Sequence, residues 1–266
     1  MWSSVIPRGC RSACAPRSRS CGAPTATPTP IAEALDGADR MFWLVPPADF
    51  HDAGDARHHY LDFTRHAAHE AARREVRMVG VTSLGHGYAG GAGLLTAALE
   101  MDAMIESAGI AYRALALPFF MENLLRQAPA IRQGTITMAN AADRPLPTVA
   151  TRDVAKAAAA LLLDPSWTGR ARVPVVGPDA PTPVAMAEIV SETLGSAVGY
   201  RQIALADFRS TMVRHGASAA LARDMAEMVR AQNDGMYDVE PRGGSFAAET
   251  GFRQWCQDVL KPALTL

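Results

Sequence analysis

Lysine is nearly absent from this chain: Lys156 and Lys261 are the only two in 266 residues. No tyrosine has a lysine four residues on, so a Tyr-x3-Lys pair, in which a cation lowers the phenol pKa, is excluded. Net charge is also missing, at -1 from 26 basic and 27 acidic residues. That balance gives no electrostatic footprint for a phosphate backbone, and the four Trp and five Tyr are not interleaved with basic runs, which argues against nucleic acid as a partner. No apolar run approaches the ~20 residues that span a bilayer. Met41 to Pro47 and Ala157 to Leu163 are short and bounded by charge or proline. The expectation is a cytoplasmic protein with a small-molecule partner. Of four cysteines, Cys10, Cys14 and Cys21 crowd the N-terminal segment and Cys256 stands alone, which is no disulfide framework. With no fourth Cys or His before His51, that spacing reads as unpaired thiols and not as a zinc site.

With 48% hydrophobic and 20% charged residues, the chain can bury a core of one large or two small lobes. Residues 1–30 stand apart, with Arg8, Arg11, Arg17 and Arg19, many Ser, Pro and Thr, and no acidic residue until Glu33. They show no helical or strand period and read as an irregular or disordered extension, with an organelle transit peptide as the other reading. From Ile31 the chain becomes regular. A helix end closes at Gly37, Met41 to Val45 reads as a buried parallel strand, Asp55 to Glu75 as a helix and Arg77 to Thr82 as a second strand. Leu94 to Ser107 is a helix stopped by Gly109, and Ala111 to Leu117 a third strand. Then follow helix Asp153 to Leu163, strand Arg172 to Val176 and helix Val184 to Leu194. Strands alternating with helices give right-handed crossovers and an α/β fold with a parallel sheet. Phe208 to Arg214, Ser218 to Gln232 and Phe252 to Leu260 read as amphipathic helices of a smaller, mostly helical lobe.

Gly85, Gly87 and Gly90 spell G-x-G-x-x-G after a strand and before a helix. A dinucleotide fingerprint also needs an acidic residue at the end of the following strand, and that strand runs into Pro118, Phe119 and Phe120. In open parallel sheets ligands bind beyond the carboxyl ends of the strands, so four loops should converge: those at Val45-Pro46-Pro47, at Thr82 to Gly85, at Pro118 to Asn123, and at Gly177-Pro178.

These loops, in this order, resemble the NmrA-like group of atypical short-chain dehydrogenases. The matching stretches are ALDGADRMFWLVPP from Ala34, VRMVGVTSLG from Val76, MIESAGIAYRALALPFFMENLL from Met104, PLPTVATRDVAKAAAALLLDP from Pro145 and VVGPDAPTPVAMAEIVSETLG from Val175. The resemblance implies a Rossmann-like sheet over residues 31–178, a helical substrate-binding lobe over 179–266, and NADP or NAD as cofactor. Members of that group begin with a strand, a Gly-rich turn and a helix that cradle the pyrophosphate; residues before Ile31 hold no apolar strand and no glycine triad, so that unit reads as lost or replaced and the sheet as N-terminally incomplete. Truncation, a shifted frame and a misassigned start would each produce this. By the same alignment GHGYAG is the loop beside the nicotinamide and substrate, its glycines giving loop flexibility. The resemblance places Val45, Pro46, Pro47, Thr82, Ser83, Pro118 and Phe119 against the cofactor and Phe120, Met121 and Asn123 against the substrate. Ser83 is a hydrogen-bond donor to the reacting group or a hydroxyl closing its turn, and Tyr88 a proton donor or an exposed loop aromatic.

His51, His58, His59, His66 and His69, with Asp55 and Asp62, fall partly at helical spacings, and a solvated helix face explains them more simply than a metal. Asp153 reads as capping or opening its helix. The functional expectation is an NAD(P)H-dependent oxidoreductase acting on a small apolar carbonyl, quinone or conjugated substrate. The alternatives are a non-catalytic dinucleotide-sensing or partner-binding regulator, and a truncated remnant whose exposed sheet edge promotes aggregation.

Overall fold

The computed structural model describes residues 4–7, 19–20, 28–46, 56–239 and 246–265. In chain order its elements are β1 (Ser4–Pro7), β2 (Arg19–Ser20), α1 (Pro28–Ala34), β3 (Ala38–Trp43), α2 (Ala56–Arg73), β4 (Arg77–Ser83), α3 (Leu94–Ser107), β5 (Tyr112–Leu117) and β6 (Phe119–Phe120). A 3-10 turn (Met121–Gln127) leads to α4 (Ala128–Arg132), β7 (Thr135–Met138), β8 (Thr148–Val149), α5 (Thr151–Leu163), β9 (Arg170–Val176), α6 (Pro183–Leu194), β10 (Gly199–Gln202), α7 (Leu205–Arg214) and α8 (Ala219–Asn233). After a second 3-10 turn (Met236–Asp238) come β11 (Phe246–Ala247), α9 (Phe252–Trp255), a wider π turn (Cys256–Leu260) and α10 (Lys261–Thr265).

The four strands that the apolar runs announced, β3, β4, β5 and β9, are joined by β1, β2 and β11 in one sheet of order β11-β9-β5-β4-β3-β1-β2. From β11 to β3 every neighbouring pair is parallel. The fold is α/β and Rossmann-like, as expected. Side chains alternate across the sheet, so Met41, Met78 and Ala114 face α1, α2 and α3, while Val79, Leu115 and Val173 face α5. Trp43 anchors the first layer; its ring lies 5.3 Å from Phe63 and its indole N–H donates to Thr64 Oγ1 at 3.0 Å.

The segment expected to lack regular structure supplies β1 and β2. β1 lies antiparallel on β3, with Val5 opposite Met41 and Ile6 opposite Arg40, and β2 lies antiparallel on β1. Two apolar residues are too few to make a period, so no sequence signal marked this strand. Its pairing occupies the edge that β3 would otherwise leave open to other chains. Cys10, Cys14 and Cys21 lie outside the described residues.

Element ends follow local chemistry. α6 has Thr182 at its N-cap, whose hydroxyl accepts from Ala185 N at 3.1 Å, Pro183 in the first turn, and Gly195 in the left-handed region at φ 68° to end it. α8 is capped in the same way by Ser218, which accepts from Leu221 N at 3.1 Å. Each cap is worth about 1 kcal/mol. The C-terminal lobe is mostly helical, but its strand β10 pairs in parallel with β7, which precedes the lobe in the chain. Its core joins Met121, Leu124 and Ile136 to Met186, Phe252 and Trp255, the last two stacked at 5.9 Å.

Candidate functional site

The two ends of the sheet differ in chemistry. At the amino ends of the strands, arginines bond to backbone carbonyls in the last turn of a helix or in the loop after it: Arg40 to Leu162, Arg77 to Pro165 at 2.6 Å, Arg113 to Thr168 at 3.1 Å and Arg170 to Glu106. Cations beside carbonyls at helix C-termini are stabilising, and Arg113 also lies 4.5 Å over the Trp167 ring. This end ties layers together. An open recess of about 440 Å³, lined by Leu35, Gly37, Ala38, Arg73, Arg74 and Glu75, also borders the start of β3 and so lies away from the carboxyl ends where such sheets bind ligands.

At the carboxyl end, Thr82 and Ser83 are adjacent on β4, in register with Ala116 and Leu117 of β5. Both are 4% exposed. The Thr82 hydroxyl is buried with no hydrogen-bond partner among the described residues, whereas Ser83 Oγ donates to Leu84 O at 2.9 Å and so closes its turn. Val45 is buried past the end of β3, and the Pro46 carbonyl oxygen lies 2.8 Å from His59 Nε2; Pro47 lies outside the described residues. Pro118 ends β5. Phe119 and Phe120 continue as β6, parallel to β8, with Phe119 opposite Thr148 and Phe120 opposite Val149. Both rings are half-buried, Asn123 is half-buried in the following 3-10 turn, and Met121 is fully buried in the lobe core.

Two glycines of the loop after β4, Gly85 and Gly93, serve close approach, so at Gly85 flexibility is not the reason for the residue. Gly85 adopts φ 104°, and a Cβ there would come within 2.5 Å of the Met236 side chain. Gly93, at φ 50°, is nearer still: a Cβ would lie 1.9 Å from the Asp224 carbonyl oxygen at the start of α8. Arg230 of the same helix donates to Gly91 O at 2.8 Å. The C-terminal lobe therefore fills the space that a diphosphate would need over these glycines. Tyr88 is half-buried, with its ring against Gly90.

Two buried polar chains meet this loop, and the sequence reading missed both. In the first, the Tyr237 hydroxyl accepts from Gln232 Nε2 at 3.0 Å, and Gln232 Oε1 accepts from Asn140 Nδ2 at 3.0 Å. Burial pushes the Tyr237 phenol up to about 12. In the second, Asp102 on α3 lies 2.9 Å from His86 Nε2 and accepts from the Tyr112 hydroxyl at 2.6 Å. Asp102 is 1% exposed. Burial first, and the Asp102 charge second, hold the Tyr112 phenol well above its ordinary range. Long sequence separation hides the first chain, and the second joins a loop, a helix and a strand that no common period links.

Asp153 does not cap α5. Its carboxylate accepts from Thr250 N at 2.9 Å, while Glu122 reaches the helix start, accepting from Thr151 N at 3.0 Å and Thr151 Oγ1 at 2.8 Å. Glu122 also accepts from Trp255 Nε1 at 3.2 Å, so one carboxylate joins helix, turn and lobe. Among the described residues no three His, Cys, Asp or Glu side chains are grouped to hold a metal; His51 and Asp55 lie outside them. Among those residues, too, no helix is long and apolar enough to cross a membrane.

Residues 96–255 match the model of the NmrA-like family. The chain belongs to that family. Among curated relatives, an NAD(P)H azoreductase of Xenophilus azovorans is 30% identical over 129 residues, 48% of this chain and 45% of that protein. Prestalk A differentiation protein A of Dictyostelium discoideum is 24% identical over 132 residues, 49% of this chain and 43% of that protein. The chain thus spans under half the length of these curated relatives. Its fold is similar to the NADPH-dependent quinone oxidoreductase of Escherichia coli solved with NADPH, at TM-score 0.73 and 19% identity, covering 90% of this chain and 83% of that one. It is also similar to the triphenylmethane reductase of Citrobacter sp. solved with NADP(H), at TM-score 0.69 and 16% identity, covering 86% and 79%. The NmrA-like sheet thus carries Thr82 and Ser83 at the end of β4.

Proposed function

We propose that this NmrA-like chain is an NAD(P)H-dependent reductase of a small apolar carbonyl, quinone or conjugated substrate, working at the carboxyl ends of β3, β4 and β5. The observation that carries the reading is the Thr82 hydroxyl, buried without a partner among the described residues at the end of β4. Such a group costs about 1 to 3 kcal/mol when left unmet, and a carboxamide-bearing ring is a ligand that satisfies it. The residues at this end suit the nicotinamide half of the cofactor. Val45 and Pro46, with Pro47, would hold it at the end of β3, and Pro118 and Phe119 would flank it beyond β5. When bound, the reduced nicotinamide supplies a hydride. Ser83 or Thr82 orients the reacting group by a hydrogen bond, and Phe120, Met121 and Asn123 form a mostly apolar substrate wall with one amide. Tyr88 is the proton donor nearest in sequence. The names of the azoreductase, quinone oxidoreductase and triphenylmethane reductase support the same class of reaction.

A second reading is a non-catalytic dinucleotide sensor or partner-binding regulator. It is favoured by the glycine loop, whose Gly85 and Gly93 positions are taken by Met236 and Asp224, leaving no diphosphate cradle there. Oxidation of NADPH, followed by its absorbance with a naphthoquinone and with an azo dye, separates the two. Protein-dependent turnover supports the reductase; NADPH binding with no turnover on either acceptor supports the regulator.

A further inference from the structure

We infer that Asp102 is a positioning residue of this site: buried on α3, it holds the turn after β4 through His86 and thereby sets where Tyr88 is presented; the inference rests on the reductase reading. β4 ends at Ser83, and the chain then reverses, with Tyr88 N donating to Gly85 O at 2.9 Å across a four-residue turn whose corners are His86 and Gly87. Glycine at two of the four positions leaves that turn little stiffness of its own.

The corner side chain supplies it. His86 is 9% exposed at its side chain, and its Nε2 lies 2.9 Å from Asp102 Oδ2; a carboxylate only accepts, so Nε2 carries the proton. Asp102 Oδ1 accepts from the Tyr112 hydroxyl at 2.6 Å, and that hydroxyl sits against β4, where a Cβ on Gly80 would come within 2.6 Å of it. The carboxylate is therefore fixed by the sheet independently of the loop that closes on it. A buried carboxylate adds little to stability over a well-packed apolar group, but its two donors select one arrangement of loop against helix.

The other face of the turn belongs to the C-terminal lobe. A Cβ at Gly85 would meet Met236 at 2.5 Å, one at Gly87 would meet Val239 at 3.7 Å, and Arg230 Nη2 donates to Gly91 O at 2.8 Å. Between these holds, Tyr88 is partly buried against the same apolar cluster as Phe119. That brings its loop to the wall that would flank the nicotinamide beyond β5. A proton donor has to meet the oxygen that gains charge in one geometry, and a misplacement of about 1 Å costs on the order of 10²-fold in rate. Without Asp102 the Tyr88 phenol keeps its chemistry and loses its place.

His86→Phe and His86→Gln test this in the full chain. The first keeps a ring and removes the donor; the second keeps an N–H that reaches Asp102. Turnover is followed by NADPH oxidation with 1,4-naphthoquinone, NADPH affinity by fluorescence titration and folding by the melting curve. His86→Phe is expected to lower kcat on the order of 10-fold or more, with KM and NADPH affinity within about threefold of the original, and His86→Gln to recover most of kcat. A readout apart from turnover is the 13Cζ resonance of Tyr88, expected as one line in the original chain, broadened or split in His86→Phe, and single again in His86→Gln. Equal kcat in His86→Phe and the original chain, equal losses in both variants, or an unchanged resonance overturns the positioning role and leaves the reductase reading intact. If His86→Phe does not melt cooperatively, Asp102→Asn, which still accepts from Tyr112, takes its place with the same expectation and the same refutation. Failure of the original chain to bind or oxidise NADPH overturns the reductase reading, and the resonance then judges the anchor by itself.

Discussion

Replacing Gly93 by alanine probes the contact that decides how the loop after β4 is used. Two costs are separable there. The backbone sits at φ 50° and ψ -119°, outside the left-handed helical region, which for an L side chain costs about 1 kcal/mol or more. The new Cβ would lie 1.9 Å from the Asp224 carbonyl oxygen and 2.7 Å from its carbonyl carbon, so α8 must retreat by more than about 1 Å to restore ordinary contact. Backbone cannot swing aside as a flexible side chain does, and such overpacking costs roughly 1 to 3 kcal/mol. The sum is about 3 kcal/mol, or a melting temperature lower by roughly 6 to 12 °C for a chain of this size. Gly109 supplies the control: its φ is also positive, at 79°, but a Cβ there meets nothing within 4 Å. Gly109→Ala therefore carries the backbone cost alone, a loss of roughly 2 to 4 °C. Calorimetry on the two variants gives the comparison. Equal losses, within about 2 °C, would refute the close approach of loop and helix.

Removing the Asp102 carboxylate strips a partner from both His86 and Tyr112; Asp102→Leu is expected to lose about 3 kcal/mol in urea denaturation, and Asp102→Asn, which still accepts from Tyr112, distinctly less. Identical losses would remove the case for that chain. Burial pushes the Cys256 thiol up to about 12, so its thiolate is scarce at pH 8. In a chain with Cys10, Cys14 and Cys21 changed to serine, Cys256 should resist Ellman's reagent until denaturant is added, and rapid labelling of the native protein would contradict its place in the core. Arg113→Ala is expected to cost about 1 kcal/mol and to shift tryptophan emission, since Arg113 lies 4.5 Å over Trp167.

The sheet was legible because its strands are short apolar runs between turn residues. α3 spans Leu94–Ser107, as its pattern indicates, since Gly93 and Gly109 bound it on either side. The ends of β3 and β5 are set by Pro46 and Pro118, whose rings forbid continuation of the ladder. What escaped notice depends on distant partners. A Gly-rich loop looks alike whether it cradles phosphate, bends freely or admits a helix; only Asp224 and Met236, far along the chain, decide the matter. Glu122 resembles any surface carboxylate until Thr151 and Trp255 fold onto it. Tyr237 likewise has no neighbour in sequence that marks it, and its place is set by burial and by Gln232, which donates to its hydroxyl.

The central claim is that the carboxyl ends of β3, β4 and β5 hold a nicotinamide cofactor. Titration of the purified chain with NADPH and with NADH, alongside Thr82→Val, tests it most directly. Micromolar binding of at least one dinucleotide, weakened several-fold in Thr82→Val, is the predicted result. Absence of binding up to millimolar concentration, or binding that Thr82→Val leaves unchanged, would contradict it.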